Sequence, residues 1–355
     1  MDFKIAVLPG DGIGPEVIEQ AVKTMNAVGK KFNHSFNYEY ALVGAAAIDK
    51  TGSPLPDETL IKCKASDAVL FGAIGDPKYD NDPSARVRPE QGLLAMRSEL
   101  GLYANVRPVT TFPSLLDRSP LKREILDGVD ILMVRELTGG IYFGKPQGRS
   151  EDGKTAYDSC VYSKFEIERV VRLACEYALK RKGKVTVVDK ANVLATSRLW
   201  RETSKEIVHD YPGIEMDFLF VDNAAMQLIQ NPGRFDVIVT ENMFGDILSD
   251  EASVITGSLG LLPSASIGSS TSVFEPVHGS YPQAAGKNIA NPLGTILSAA
   301  MLLETGLNLT GESEALKRAV EKSLEAGMVT EDLDRSNPCS TNMVGDWISE
   351  YILHN

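Results

Sequence analysis

Short apolar runs alternate with longer amphipathic segments along most of the chain. The runs KIAVL, DAVLFGAIG, VDILMVRE, KVTVVDK, MDFLFVD and FDVIVT are typical of buried strands. Between them, segments such as SKFEIERVVRLACEYALKRKG space their apolar residues with a helical period, and Ser163 with Glu166 forms a capping-box pattern. This alternation predicts an α/β protein whose sheets are mainly parallel and flanked by helices.

Two segments depart from the alternation. PGDGIGP follows the first strand, but its third glycine comes one residue too early for the dinucleotide fingerprint, and Pro15 stands next. We therefore predict a tight strand-to-helix turn and not a Rossmann fold. The segment IYFGKPQGRSEDGKTAYDSCVYS is too polar and irregular for a core, and we predict a hairpin or protruding arm at about residues 142–162.

Size and composition narrow the class of protein. The 355 residues suggest about two domains, and a hydrophobic content of 43% is enough for a sizeable core. A formal net charge of -12 argues against a nucleic-acid partner. We find no signal-peptide pattern, no apolar run of the roughly 18 residues that a membrane helix needs, and no C-x-x-C spacing among the four cysteines. We expect a cytoplasmic protein without a membrane partner.

A pair of like charges stands out in the segment NMFGDILSDEAS. Asp246 and Asp250 lie four residues apart, so on a helix they share a face and repel by roughly 0.2–0.5 kcal/mol. A solvated helix face would explain an isolated pair. Here the pair follows a strand, and Lys190 and Asp222 each follow another, where α/β sheets bind ligands. Three carboxylates without histidine or cysteine predict a site for Mg²⁺ or Mn²⁺.

The segment EQGLLAMRSEL predicts a helix with one mixed face. Glu90, Leu93, Leu94 and Arg97 have the spacing of a single face, which is either a core-facing stripe or a pocket wall with an apolar middle. Arginine binds carboxylates bidentately, and three arginines near strand or helix ends hint at a small dianionic ligand. They are Arg97, Arg107 and Arg135.

Together the motifs resemble a known family. LPGDGIGPE, VRELTGGIYFG, DKANVL, FGDILSD and FEPVHGS are similar to segments of the metal-dependent decarboxylating dehydrogenases of isocitrate and isopropylmalate, in the same order. The resemblance runs from Lys4 to at least Leu303. The stretch EQGLLAMRSELGLYANVRP resembles the isopropylmalate branch, in which Leu93 and Leu94 would hold the isopropyl group and an isocitrate enzyme would have polar residues.

The resemblance implies a two-domain α/β fold of the isocitrate/isopropylmalate dehydrogenase type. Residues 1–102 with 257–355 would form a discontinuous cofactor-binding domain. Residues 103–256 would form a central domain with the dimer interface, the arm and the metal site. The family also implies a homodimer in which each active site takes Lys190 and Asp222 from the neighbouring subunit.

Roles for individual residues follow from the same resemblance. Tyr142 and Lys190 match catalytic residues, and Asp222, Asp246 and Asp250 match the metal ligands. The matching substrate ligands are Glu90, Leu93, Leu94, Arg97, Arg107, Arg135, Asn192, Val193 and Asp222. The matching cofactor-binding residues are Ile13, Glu275, His278, Gly279, Gln283, Ala284 and Asn291.

The coenzyme loop departs from the family pattern at two positions. Relatives that use NAD often have Asp-Ile where this chain has Gln283 and Ala284, and relatives that use NADP tend to have Lys-Tyr. A glutamine can hydrogen-bond the ribose hydroxyls but offers no charge to a 2′-phosphate. NAD is therefore the expected coenzyme.

The expected reaction is the oxidation of (2R,3S)-3-isopropylmalate to 4-methyl-2-oxopentanoate and CO₂, a step of leucine biosynthesis. One alternative is a sister decarboxylating dehydrogenase acting on another malate derivative, such as tartrate or homoisocitrate. The other is a metal-binding lyase or an acidic scaffold without nicotinamide turnover.

Overall fold

The computed structural model describes residues 1–80 and 86–355, with Asp80 described by its backbone alone, so residues 81–85 of the predicted first domain lie outside it. The chain divides into two compact units. Unit 1 comprises Met1–Gly101 and Gly257–Asn355, and unit 2 comprises Leu102–Thr256. The division expected from the sequence differs from this one at Leu102. The roles expected for the two domains stay predictions.

The strands include every one that the apolar runs predict. In chain order they are β1 (Asp2–Gly10), β2 (Ser35–Tyr40), β3 (Ala68–Ala73), β4 (Leu102–Thr110), β5 (Asp130–Glu136), β6 (Gln147–Arg149), β7 (Ala156–Asp158), β8 (Lys184–Asp189), β9 (Glu215–Phe220), β10 (Val237–Thr240), β11 (Pro263–Gly268) and β12 (Ser272–Pro276).

Helices fill most of the segments between them. They are α1 (Gly14–Phe32), α2 (Ala45–Thr51), α3 (Asp57–Lys64), α4 (Pro77–Asp80), α5 (Pro89–Glu99), α6 (Arg123–Leu126), α7 (Lys164–Leu179), α8 (Ala195–Ile207), α9 (Val221–Gln230), α10 (Asn242–Ser253), α11 (Leu293–Met301), α12 (Thr310–Glu325) and α13 (Thr341–His354). The capping box predicted for Ser163 and Glu166 is present at the start of α7. No helix in the described part of the chain is both long and apolar enough to cross a membrane.

Unit 1 contains five sheet strands in the order β2-β1-β3-β12-β11. All neighbours are parallel except β11 and β12. β3 is buried along its whole length, as expected for a strand covered on both faces. All nine residues of α11 are buried as well, so this helix lies inside the unit.

The PGDGIGP segment forms the predicted tight turn between β1 and α1. Gly10 and Gly12 have φ angles of 71° and 58°, which side chains rarely adopt. A Cβ on Gly12 would lie 2.0 Å from the Ser280 carbonyl oxygen. The glycines therefore serve close backbone packing, which brings the turn against the segment that follows β12.

Unit 2 contains the strand order β4-β5-β10-β8-β9, with β4 antiparallel and the others parallel. A separate hairpin of β6 and β7 occupies the segment predicted as an arm. The parallel strands place their carboxyl ends at one edge of the sheet. Arg135 is the second-last residue of β5, Lys190 directly follows β8, and Asp222 lies two residues beyond the end of β9.

Candidate active site

The two aspartates of α10 are held by two arginines. Asp246 Oδ1 accepts a short hydrogen bond from Arg135 Nη1, and Asp250 Oδ1 lies 3.3 Å from Arg107 Nη1. Ion pairs with partly exposed carboxylates contribute roughly 0.2–1 kcal/mol each, at least as much as the roughly 0.2–0.5 kcal/mol of like-charge repulsion on a helix. The side chains of Asp246 and Asp250 are 38% and 68% exposed, so both remain open to a ligand.

Arg135 is almost fully buried at the end of β5, and its stem packs against α10. A Cβ on Gly245 would lie 2.6 Å from Arg135 Cγ, so the glycine of FGDILSD is required for this close approach. The guanidinium donates to Asn242 Oδ1 from both Nε and Nη2, at 3.1 Å and 2.8 Å. Arg135 is therefore fixed on one edge by Asn242 and directed at Asp246 on the other.

Arg107 projects from β4 towards the same helix. Its Nη1 donates to Ser249 Oγ at 2.6 Å as well as to Asp250, and its Nε donates to Asn105 Oδ1 at 2.7 Å. Asn105 is opposite Arg135 in the register of β4 and β5. Arg107 and Arg135 thus lie on adjacent strands and contact the same helix, α10.

Tyr142 joins this group through its hydroxyl. The hydroxyl donates to Asp246 Oδ2 at 3.0 Å, and the Arg135 guanidinium lies 5.9 Å from the centre of the ring. Burial, followed by the charge of Asp246, raises the pKa of the Tyr142 phenol. The phenol is therefore protonated near neutral pH and can donate its proton to a ligand.

Lys190 and Asp222 form a second group at the neighbouring strand ends. Lys190 Nζ lies 2.5 Å from Asp222 Oδ1, and this hydrogen bond lowers the pKa of Asp222. Asn192 and Val193 are exposed in the turn that follows, where the Val193 amide donates to the Lys190 carbonyl at 2.9 Å. The side chains of Asn192 and Val193, which are predicted to contact substrate, are therefore accessible to solvent.

The predicted trio of aspartates does not meet within one chain. Among the described residues, no three His, Cys, Asp or Glu side chains lie close enough together to hold a metal ion. Asp246 and Asp250 offer exposed carboxylate oxygens that fit a hard divalent cation, provided that the arginines paired with them exchange partners. The described residues of this chain supply no third ligand to the pair.

In unit 1, α5 presents the predicted mixed face away from its buried side. Pro89, Gly92 and Met96 are buried, whereas Leu94 is 41% exposed. Leu93 is half-buried and Glu90 is exposed. Leu94 and Glu90 are therefore not core residues, and the pocket-wall interpretation stays a prediction.

The cationic end of the same face is anchored inside unit 1. Arg97 Nη2 lies 3.7 Å from Glu275 Oε1, and both side chains are nearly buried. The Arg97 Nε is buried without a hydrogen-bond partner among the described residues. The described residues therefore satisfy the Arg97 guanidinium only in part.

The predicted cofactor loop contains both buried and exposed residues. Ile13 and Ala284 lie in one apolar cluster with Val17 and Ala290, and the Ile13 amide donates to the Ser280 carbonyl at 2.8 Å. Gln283 is exposed. Because Ala284 is only 1% exposed, its side chain supports the loop from below and has little surface for a coenzyme.

His278 and Asn291 frame the rest of this loop. Burial lowers the pKa of His278, so its imidazole is neutral, and its Nε2 has no partner in the described part of the chain. A Cβ on the adjacent Gly279 would meet no atom within 4 Å. Asn291 Nδ2 donates to Asp332 Oδ2 at 3.0 Å. The loop therefore holds a neutral imidazole and an oriented side-chain amide, which are polar groups that could bind a ligand.

Several residues of these sites were not predicted from the sequence. Asn242 and Tyr162 lie under the arginine–aspartate group, and Asp332 orients Asn291. Asn242 lies two residues before the first residue of the motif FGDILSD, and this proximity is the one signal that could have indicated it. The other two are brought in from distant segments.

Glu241 is a further buried acid at the carboxyl end of β10. It is 4% exposed, and its Oε2 has no hydrogen-bond partner among the described residues. Burial raises the pKa of Glu241 to about 7, with smaller contributions from the charges of Asp189 and Glu136. Those two acids are satisfied, by Arg201 and by the amides of residues 138 and 139 respectively.

Comparisons with known proteins agree on one family. The isocitrate/isopropylmalate dehydrogenase family model matches residues 4–348. The 3-isopropylmalate dehydrogenase of Bacteroides fragilis is 58% identical over 354 residues, covering 99% of each chain. That of Bacillus subtilis is 56% identical over 345 residues, covering 96% of this chain and 94% of its own.

A solved structure extends this similarity to the fold. The crystal structure of isocitrate dehydrogenase from Methylococcus capsulatus has a TM-score of 0.88 at 37% identity, covering 99% of this chain and 100% of its own. The predicted isocitrate/isopropylmalate dehydrogenase-like α/β fold is confirmed.

The buried Glu241 predicts a pH dependence of stability. Its folded pKa of about 7 exceeds the ordinary value of 4.5, so the unfolded chain releases this proton first as the pH rises. The contribution of Glu241 to the free energy of unfolding is complete below about pH 4.5, falls by about 3 kcal/mol up to about pH 7, and is constant above. Glu241→Gln should remove this fall, which denaturant unfolding at about pH 5 and about pH 8 measures.

Glu124→Gln, on the surface of unit 2, is the matched control and should keep the slope of the parent. If Glu241→Gln changes the free energy of unfolding by the same amount at both pH values, Glu241 does not titrate in this range.

Proposed function

Since the chain belongs to the isocitrate/isopropylmalate dehydrogenase family and is a dehydrogenase, we propose that it oxidises (2R,3S)-3-isopropylmalate to 4-methyl-2-oxopentanoate and CO₂ in leucine biosynthesis. The coenzyme is NAD, and the metal is Mg²⁺ or Mn²⁺. The 3-isopropylmalate dehydrogenases of Bacteroides fragilis and Bacillus subtilis are 58% and 56% identical to this chain, whereas the isocitrate dehydrogenase is 37% identical.

The observation that carries the proposal is the group on α10. Two arginines pair with two aspartates there, and a protonated phenol joins them. A divalent cation and a dicarboxylate could replace these pairs by exchange, because the aspartates would bind the cation and the arginines the substrate. The group thus has the complementary charges that a metal–dicarboxylate complex requires.

The residues of the chain divide the chemistry between them. Arg97, Arg107 and Arg135 bind the substrate carboxylates, and Lys190 accepts the proton of the C2 hydroxyl. Tyr142 donates a proton to C3 after CO₂ has left, which agrees with its raised pKa. The metal, when bound by Asp246 and Asp250, polarises the hydroxyl oxygen and neutralises negative charge at the reacting atoms.

Leu93 and Leu94 give the specificity of the proposed reaction. Their exposed surface on α5 is apolar, which suits the branched tail of isopropylmalate and not the third carboxylate of isocitrate. NAD supplies the hydride acceptor and is held by the residues around Glu275, His278 and Asn291. Gln283, which is exposed and neutral, favours ribose hydroxyls over a 2′-phosphate.

The protein is proposed to act as a homodimer with shared sites. Lys190 and Asp222 contact each other but do not complete the aspartate pair of their own chain. Val161 and Phe165, beside the hairpin of β6 and β7, are exposed apolar residues that suit an interface. Asp222 of the partner subunit would then supply the third metal ligand.

The activity itself is tested with a panel of acids. The parent should form NADH fastest, by kcat/KM, with isopropylmalate, NAD and Mn²⁺, against isocitrate, tartrate, malate and homoisocitrate with NAD or NADP. Leu94→Ser should lower kcat/KM for isopropylmalate by about tenfold or more while changing that for malate little. Leu353→Ser, at a site of similar exposure in unit 1, should change neither.

Each rival has its own outcome in that panel. Preference for another acid indicates a sister dehydrogenase, product without nicotinamide reduction indicates a lyase, and no conversion indicates a scaffold. Equal losses on isopropylmalate and malate in Leu94→Ser would show that the residue does not contact the tail.

Shared sites predict complementation between inactive variants. Lys190→Met and Asp246→Asn, unfolded, mixed and refolded together, should regain about a quarter of the parental activity. About half of randomly paired dimers are mixed, and one of the two sites in each is intact.

The matched control mixes Lys190→Met with Asp222→Asn. Both residues serve the same site from the same chain, so every site carries a fault and no activity should return. Recovery in this control, or none in the first mixture, would contradict the shared site.

A further inference from the structure

Asn242 begins α10 and is 1% exposed, and both polar atoms of its side chain form hydrogen bonds. Its Nδ2 donates to the Gly139 carbonyl at 3.2 Å, which leaves Oδ1 facing Arg135. Oδ1 accepts from the Nε and Nη2 of that guanidinium. The carbonyl of Gly139 therefore fixes which way round the amide lies, and the amide fixes one edge of Arg135.

Asn242 is itself held in place by Tyr162. The backbone amide of Asn242 donates to the Tyr162 hydroxyl at 2.9 Å. The ring of Tyr162 packs edge-on against Trp200, with centroids 5.5 Å apart, and lies so close to Gly140 that a Cβ there would be 2.4 Å from the hydroxyl. A rigid support thus connects Asn242 to the interior of unit 2.

This support matters because the other edge of Arg135 must change partners. In the structure, Nη1 of Arg135 meets Asp246. If Asp246 turns to a cation, the guanidinium loses that contact at the moment when it must meet a substrate carboxylate. An acceptor that does not move keeps the guanidinium plane in place during this exchange.

The neutral amide suits this task better than a carboxylate would. Asp246 already places a negative charge against the guanidinium of Arg135. A second carboxylate in the place of Asn242 would cancel the charge that Arg135 offers to the substrate, and it could not donate to the Gly139 carbonyl. The amide accepts from Arg135 through its oxygen and donates to Gly139 through its nitrogen, and it adds no charge.

We propose that Asn242, braced by Tyr162, is a positioning residue that acts on the substrate through Arg135. This inference rests on the proposed function, since it assigns Arg135 to a substrate carboxylate. The residue touches no reacting atom. Its effect is to hold the guanidinium in the plane that bidentate carboxylate binding requires.

A double-mutant cycle tests the proposal in the full-length enzyme. Asn242→Ala should lower kcat/KM by about tenfold to a hundredfold, the equivalent of one hydrogen bond to a charged group. The loss should lie mainly in KM, because the arginine binds substrate. In the background of Arg135→Lys, Asn242→Ala should lower kcat/KM almost no further, because both substitutions remove the same interaction between Asn242 and Arg135.

The matched control repeats the cycle with Arg107→Lys. Arg107 bonds to Asn105, Ser249 and Asp250, so the losses from Asn242→Ala and Arg107→Lys should multiply. Asn231→Ala, an exposed asparagine of unit 2, should leave both parameters unchanged. Multiplied losses with both arginines would overturn the proposal, because that is the result expected of general loosening of the fold.

If Asn242→Ala does not fold, Tyr162→Phe takes its place in the cycle. It keeps the ring against Trp200 and removes only the acceptor of the Asn242 amide. The cycle uses whichever acid of the panel the parent oxidises, so failure with isopropylmalate counts against the proposed function alone. An active parent with uncoupled losses counts against Asn242 alone.

Discussion

The contact between the Arg135 guanidinium and the Asp246 carboxylate joins a buried strand end to the helix that carries both aspartates. A charge as deeply buried as that of Arg135 costs several kcal/mol unless it is paired and hydrogen-bonded. Gly245 allows the approach, Asn242 satisfies one edge of the guanidinium, and Asp246 satisfies the other.

The same contact connects the fold to the proposed chemistry. Asp246 and Asp250 remain accessible while their charges are balanced by arginines, so the resting protein tolerates a like-charge pair on one helix face. A divalent cation and a dicarboxylate together add no net charge to this group. Both can therefore enter by exchange of partners, without leaving a charge unpaired in a partly buried site.

Much of this could be predicted from the sequence, for identifiable reasons. The six predicted strands are short runs rich in β-branched, aliphatic and aromatic residues, and α7 has a capping box, so the local pattern predicted these elements. The spacing of Asp246 and Asp250 placed them on one face. Local pattern could not reveal Asn242 meeting Arg135 or Asp332 meeting Asn291, because these contacts join segments 107 and 41 residues apart. Nor could it show that Ala284 is buried beneath its loop.

The central claim is that Asp246 and Asp250 bind a divalent cation jointly with a dicarboxylate. Calorimetric titration of the parent with Mn²⁺, in the presence and absence of isopropylmalate and without coenzyme, tests this claim most directly. The account predicts that each ligand tightens the binding of the other by the same factor, as linkage requires, and that Asp250→Asn abolishes this coupling. An affinity for Mn²⁺ that is the same with and without isopropylmalate would contradict the account.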